Sequence, residues 1–150
     1  MTIEDLLHTN GNLPVSRKLV LNLIVTGNYI SERLTEALKP FEVSNQQFNV
    51  LRILRGQKGK PANLSTIQER MVSKMSNTTR LVDKLVDKEL CERIVCPSNR
   101  RKVEIRITGK GLNLLEQIDP VIDKVENEFA DKLNEKEVLS LNTKLNELRS

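Results

Sequence analysis

Ser76-Asn77-Thr78-Thr79-Arg80-Leu81-Val82-Asp83-Lys84-Leu85-Val86-Asp87-Lys88 reads as a helix that is polar at its start and apolar further on. Leu81, Val82, Leu85 and Val86 take the inner positions at helical spacing, and Ser76 is a good N-cap. From Ser76 to Arg80 there is no large apolar residue. A helix built this way can push its N-terminal end out of the protein while its body stays anchored. Ser, Asn, Thr and Arg all carry groups that bond base edges or phosphates. A plain cap followed by a plain amphipathic helix would give the same pattern, so this helix alone does not decide.

Its neighbours do. Upstream, Asn63 caps a predicted helix over 64–72, with Leu64, Ile67 and Met71 inward, and Ser73-Lys74-Met75 forms a tight turn. Downstream, Arg93-Ile94-Val95-Cys96 and Val103-Glu104-Ile105-Arg106-Ile107 read as strands. The second alternates apolar and charged residues, as a half-buried strand does. Pro97-Ser98-Asn99-Arg100-Arg101-Lys102 joins them as a turn carrying three successive cations. Like charges at a hairpin tip repel one another and contribute nothing to folding, but opposite a DNA minor groove they sit in a favourable potential. Helix, turn, helix and basic hairpin outline a winged helix-turn-helix, which holds one helix in a DNA major groove.

Further out, Pro14 starts a long predicted helix, to about residue 39, with Leu19, Leu23, Ile30, Leu34 and Leu38 at helical steps. It must end before Pro40. At roughly 24 residues it would be about 36 Å long, more than a core of this size needs, so part of its stripe is expected to meet another chain. Residues 1–13 are polar, with Asn10-Gly11-Asn12 read as a loop; Leu6 and Leu7 are the groups available for packing, and fraying of the segment is the alternative. Ser44 and Gln47 form a capping box for the next helix, with Phe48, Leu51 and Leu54 inward, closed by the Gly56 to Pro61 loop. Thr108 caps a helix carrying Leu112, Leu115, Ile118, Ile122, Val125 and Phe129, which Pro120 is expected to kink or restart. Asn134 and Glu137 open a last helix with Val138, Leu141, Leu145 and Leu148 as its stripe. Terminal helices with apolar stripes and no large body to cover them point to dimerisation.

The 150 residues, 38% hydrophobic and 3% aromatic, suffice for one domain with a Leu/Ile/Val core. Net charge is +4, but residues 52–110 hold 15 of the 24 basic and 6 of the 20 acidic residues. The centre is therefore basic and the flanks acidic, as for a phosphate-facing surface on an acidic carrier, although a solvated face would share that balance. No apolar run approaches the roughly 20 residues of a membrane span, and the acidic N-terminus lacks signal-peptide order; the expected location is cytoplasmic. Two cysteines, Cys91 and Cys96, and one histidine, His8, exclude a disulfide framework and a one-chain Cys/His zinc site. Packed, reduced thiols are the ordinary reading of that pair and a redox switch the sharper one. No Gly-rich phosphate loop, metal cluster or nucleophile arrangement points to an enzyme or a cofactor.

The chain resembles the MarR family of bacterial transcriptional regulators over about residues 15–148. The resemblance rests on Ser76-Asn77-Thr78-Thr79-Arg80-Leu81-Val82-Asp83-Lys84-Leu85, Cys91-Glu92-Arg93, Asn99-Arg100-Arg101 and Ile107-Thr108-Gly109-Lys110-Gly111, with Leu133-Asn134-Glu135-Lys136-Glu137 like the opening of the family's last helix. It implies a mainly α fold with a small two- or three-stranded β wing. The winged helix-turn-helix lobe would lie at about 44–110, with dimerisation helices at about 14–39 and 111–149. It implies a homodimer on a pseudo-palindromic double-stranded operator, usually as a repressor, with Arg100 and Arg101 in flanking minor grooves. It also implies release by a small anionic aromatic effector bound between the dimer helices and the DNA-binding lobe. Two positions depart from the family pattern. Asn99 replaces an Asp that pins the wing through an arginine, which would weaken that anchor. Glu89 replaces a Gly, so a different construction is expected at that corner.

On this reading Asn63, Ser73, Lys74, Ser76, Asn77, Thr78, Thr79, Arg80 and Lys84 face the major groove or its phosphates, and Asn99, Arg100, Arg101 and Lys102 form the wing contact. The alternative is a winged-helix module that binds a protein and has lost DNA binding, for which Asn99 is the only hint. His8, Arg17 and Tyr29, near the N-terminal helix, are the polar candidates for an effector contact, and for each a surface or packing role is the stronger reading.

Overall fold

A computed structural model describes residues 1–150, apart from the side chain of Arg100. Apart from α2, its α-helices begin where a side chain satisfies a free backbone donor. Helix α1 (Ile3–Leu6) opens with a capping box between Thr2 and Asp5, a signal the sequence reading passed over. It is Ile3 that is buried, while Leu6 and Leu7 remain exposed. Helix α2 (Val15–Leu38) follows Pro14 and spans 24 residues, then tightens into a 3-10 turn (Lys39–Phe41) around Pro40. Helix α3 (Asn45–Gly56) has the expected Ser44–Gln47 capping box, and α4 (Leu64–Arg70) the expected Asn63 cap.

Strand β1 is only Ala62–Asn63. Helix α5 (Thr78–Asp87) leads to β2 (Cys91–Cys96) and β3 (Asn99–Ile107), and α6 (Gly109–Ala130) and α7 (Glu135–Leu148) complete the chain. The sheet is antiparallel in the order β1-β3-β2, with Ala62 opposite Ile105 and Arg93 opposite Ile105 from the other side. The fold is thus mainly helical with a three-stranded wing.

One apolar core joins α3, α4, α5, α6 and the sheet, with Leu38 from the end of α2. Leu51 and Leu54 of α3, Ile67 of α4, Val82 and Leu85 of α5, Ile105 of β3, and Leu115 and Ile118 of α6 are essentially closed to solvent. Helix α6 continues through Pro120 without a restart. Buried Leu115 and Ile118 before the proline and Ile122 and Val125 after it fix the helix on both sides. Asp119, next to the proline, accepts a two-pronged ion pair from Arg55 of α3 at 2.7 and 3.1 Å.

The corner after α5 also departs from expectation. Glu89 takes the left-handed conformation, φ 62°, that glycine usually fills. Leu90 N–H donates to Leu85 O and Glu89 N–H to Val86 O, both at 2.9 Å, which is the Schellman closure of a helix end. So the corner keeps its glycine-type geometry with a glutamate in place. A left-handed L-residue costs roughly 1–2 kcal/mol, and part of what glycine would recover is offset by a freer unfolded chain. The exposed Glu89–Lys110 pair, 3.7 Å, returns little. Glu89→Gly is expected to raise unfolding free energy by about 0.5–1 kcal/mol, read from urea denaturation.

Candidate nucleic-acid interface

The path into α5 is fixed at several points. Asn63 Oδ1 accepts from Thr66 N–H at 2.8 Å and from Ser65 Oγ at 2.9 Å. After α4 the chain turns extended at Met71, itself buried. The first backbone donor past that point, Val72 N–H, donates to Asn49 Oδ1 of α3 at 2.8 Å. Gln68 Nε2 donates to Lys74 O at 2.8 Å, and Ser76 N–H to Ser73 O at 3.3 Å. The turn is therefore pinned to α3 and α4.

The cap lies one residue later than the sequence suggests. Asn77, not Ser76, caps α5, with Asn77 Oδ1 accepting from Arg80 N–H at 3.1 Å. Thr78 then falls on the inner face: it is buried and its hydroxyl donates to Gln68 Oε1. Thr78 holds α4 against α5 and does not face outward. Ser73, Lys74, Asn77, Thr79, Arg80 and Lys84 are exposed, and Ser76 is half-buried. The ammonium of Lys74 also donates to Glu69 O. Asn63, although exposed, has its side-chain oxygen committed to its own helix.

The wing is tighter than expected. The reversal is Pro97-Ser98, and residues 99–102 belong to β3. Val95 pairs with Val103, yet the next residue, Cys96, pairs with Asn99. Residues 100–102 consequently have no counterpart on β2 and form an excursion at the hairpin's end. Asn99 Oδ1 accepts from Arg101 N–H at 3.1 Å, closing the backbone at the base of that excursion. Arg101 and Lys102 are exposed, and Lys102 approaches Glu104 at 3.6 Å. The side chain of Arg100 lies outside the described residues. Arg93 of β2 pairs with Asp83 of α5, so the wing is tied directly to the helix beside it.

Of the two thiols, Cys91 is buried, which pushes it up to about 12. The hydroxyl of Ser98, 3.1 Å away, holds Cys96 below the usual thiol range. Both are free.

A second feature lies behind the turn. A cavity of about 530 Å3 is bounded by α2 (Gly27, Ile30, Leu34), α3 (Phe48, Asn49, Arg52), the turn (Val72, Ser73) and α6 (Ile122, Glu126). The Arg52 guanidinium lies over the Phe48 ring, 5.2 Å from its centroid, and 3.9 Å from Glu126. His8, Arg17 and Tyr29 do not line it; Tyr29 packs edge-on against Phe129 at 5.7 Å. Sequence reasoning missed Arg52 and Asn49 because α3 gives no local sign of what its outer face meets. Among the described residues, no helix is long and apolar enough to cross a membrane.

A helix-turn-helix flanked by a hairpin wing defines the winged-helix class. The model of the MarR family matches residues 43–103. The HTH-type transcriptional regulator MhqR of Bacillus subtilis (strain 168) is 30% identical over 123 residues, 82% of this chain and 83% of that protein. The chain belongs to the MarR family of transcriptional regulators. The organohalide-sensing regulator RdhR-CbdbA1625 in its 2,4-dichlorophenol-bound form has a similar fold, with TM-score 0.83 and 20% identity over 92% of this chain and 81% of that one. So does BpsR of Bordetella bronchiseptica, whose DNA binding is described as regulated by 6-hydroxynicotinic acid, with TM-score 0.80 and 19% identity over 93% and 99%.

Proposed function

We propose that the protein is a homodimeric, sequence-specific DNA-binding repressor released by a small anionic aromatic ligand. The observation that carries this is the presence of two outward features on neighbouring elements in contact. Helix α5, polar at its start, and the hairpin that ends in the cationic excursion are joined by the pair between Asp83 of α5 and Arg93 of β2. Asn77 and Thr79 would meet base edges or backbone at a major groove, with Ser73, Lys74, Arg80 and Lys84 on phosphates, while Ser76, whose hydroxyl oxygen is closed to solvent, would not reach them by its side chain. Arg100, Arg101 and Lys102 would enter the minor groove beside it, with Asn99 shaping their loop. Thr78 and Asn63 would support these contacts without making them.

Dimerisation is supported by α7, which buries none of its residues on its own chain. Helix α2 likewise leaves Val15, Leu19, Val20, Leu23 and Ile24 exposed. A 14-residue helix alone in water is marginal, so a partner's apolar face is the natural cover. Twofold pairing would set two α5 helices about 34 Å apart, one DNA turn, on a pseudo-palindromic site. Leu141→Asp with Leu148→Asp is expected to yield a monomer at micromolar concentration by sedimentation equilibrium and to lose duplex binding. A dimer that survives both charges removes α7 from the interface.

The cavity offers Arg52 as the cationic partner of a carboxylate or phenolate, with Phe48, Ile30 and Leu34 against an aromatic ring. The relatives described with 2,4-dichlorophenol and 6-hydroxynicotinic acid support that ligand class. The direct test is selection of bound sites from random duplex DNA, followed by competition with phenols and aromatic carboxylates. Recovery of no preferred site overturns the reading.

A further inference from the structure

Met75 stands almost free of the protein, 95% exposed, in the middle of the surface that leads into α5. Its surroundings are of the opposite character. Apart from half-buried Leu81, the depression of about 250 Å3 that it borders is lined by polar or cationic residues, Arg80 and Lys84 among them, and the other exposed apolar side chain of the turn, Val72, does not line it. An isolated exposed apolar side chain is common on protein surfaces and says little. What sets Met75 apart is the backbone beneath it. Lys74 O is held by Gln68, Ser76 N–H by Ser73 O, and the cap begins at Asn77. The side chain is therefore projected from a fixed turn, with the loss of backbone freedom already incurred on folding. A long apolar side chain amid cations and hydroxyls has no matching group on a phosphate backbone. The major groove does supply one: the C5-methyl of thymine, the apolar group among its base edges. Met is unbranched and polarizable, and adapts its shape to such a contact.

We infer that Met75 reads a thymine methyl group in each half-site and so sets sequence preference at that position. The inference rests on the DNA-binding reading above and goes beyond it, because it assigns a base contact to a residue of the turn, ahead of the helix. The methyl group is the partner, so the test removes that atom group alone. A duplex recovered by selection is made in two forms, one with thymine and one with uracil at every T, and both are titrated with wild type and Met75→Ala. One methyl is worth about fourfold, so two half-sites give on the order of fifteenfold. Wild type is expected to favour the thymine form by that factor. Met75→Ala is expected to bind the thymine form about as weakly as wild type binds the uracil form, and to lose most of the preference. Equal thymine preference in the two proteins, or wild-type affinity of Met75→Ala for the thymine duplex, overturns the assignment and leaves DNA binding intact. Failure of the selection to recover any bound duplex overturns both readings. Because Met75 is solvent-exposed, Met75→Ala is expected to melt with wild type, so weakened binding reads as loss of contact.

Discussion

Changing Arg100 and Arg101 together to alanine is expected to lower affinity for the selected duplex on the order of 100-fold at physiological salt. In a dimer the change removes four cations. Each phosphate neutralised contributes about 0.9 to the slope of log affinity against log salt, so the slope should flatten by about three to four units. The site of the change matters to this argument. Residues 100–102 fall outside the paired register of β2 and β3, so the substitutions do not unpick the sheet. Asn99 still closes the loop onto the Arg101 backbone, which alanine retains. Binding and salt slope are measured by fluorescence anisotropy across a salt series, with thermal melting to show that the fold is unchanged. Unaltered affinity would favour the protein-binding reading of the winged helix, in which the hairpin meets something other than a polyanion.

The largest expected loss of stability comes from one added carbon. A Cβ on Gly111 would lie 2.4 Å from Leu90 O and 2.7 Å from Ile107 Cγ1. The first is backbone and is itself held, accepting from Thr108 N–H at 3.1 Å. The second belongs to a buried side chain at the end of β3. Neither can move without opening the junction where α5, the wing and α6 meet. The same junction includes Thr108, whose hydroxyl donates to Glu89 O at 2.6 Å and accepts from Gly111 N–H at 3.1 Å. Gly111→Ala is expected to cost about 3 kcal/mol, equivalent to a fall of about 10 °C in melting temperature for a chain of this size. Gly109→Ala is the control, because its added Cβ meets nothing within 4 Å. It should change stability by about 0.5 kcal/mol or less. Chemical denaturation of the two variants separates close packing from general helix propensity.

Much of the architecture was legible because its signals are local. Ser44 with Gln47, Asn63, Thr108, and Asn134 with Glu137 all cap the helices they were expected to cap. The alternation through Val103, Ile105 and Ile107 identified a strand with one face inward, and that strand became the centre of the sheet. What was misread depends on contacts distant in sequence. Ala62-Asn63 is too short to show any alternation, and only its pairing with Ile105 and Glu104 makes it a strand. Ser76 and Asn77 are both competent caps; the inward anchoring of Thr78 on Gln68 selects the second. Local cost alone argues against Glu89 at a left-handed corner, but the corner is closed by hydrogen bonds from both sides. The cavity belongs to the same category. Its walls come from α2, α3, α6 and the turn after α4, and no stretch of sequence announces their meeting.

Helix α7 has a consequence for how the protein comes into being. In the proposed dimer a segment with no fully buried residue on its own chain would take its order from the partner, so folding of the carboxyl end and pairing of subunits would form one equilibrium. Melting temperature should then climb with concentration. Newly made subunits would remain partly unfinished until enough of them accumulate, giving the regulator a threshold of abundance set by its own polymer physics.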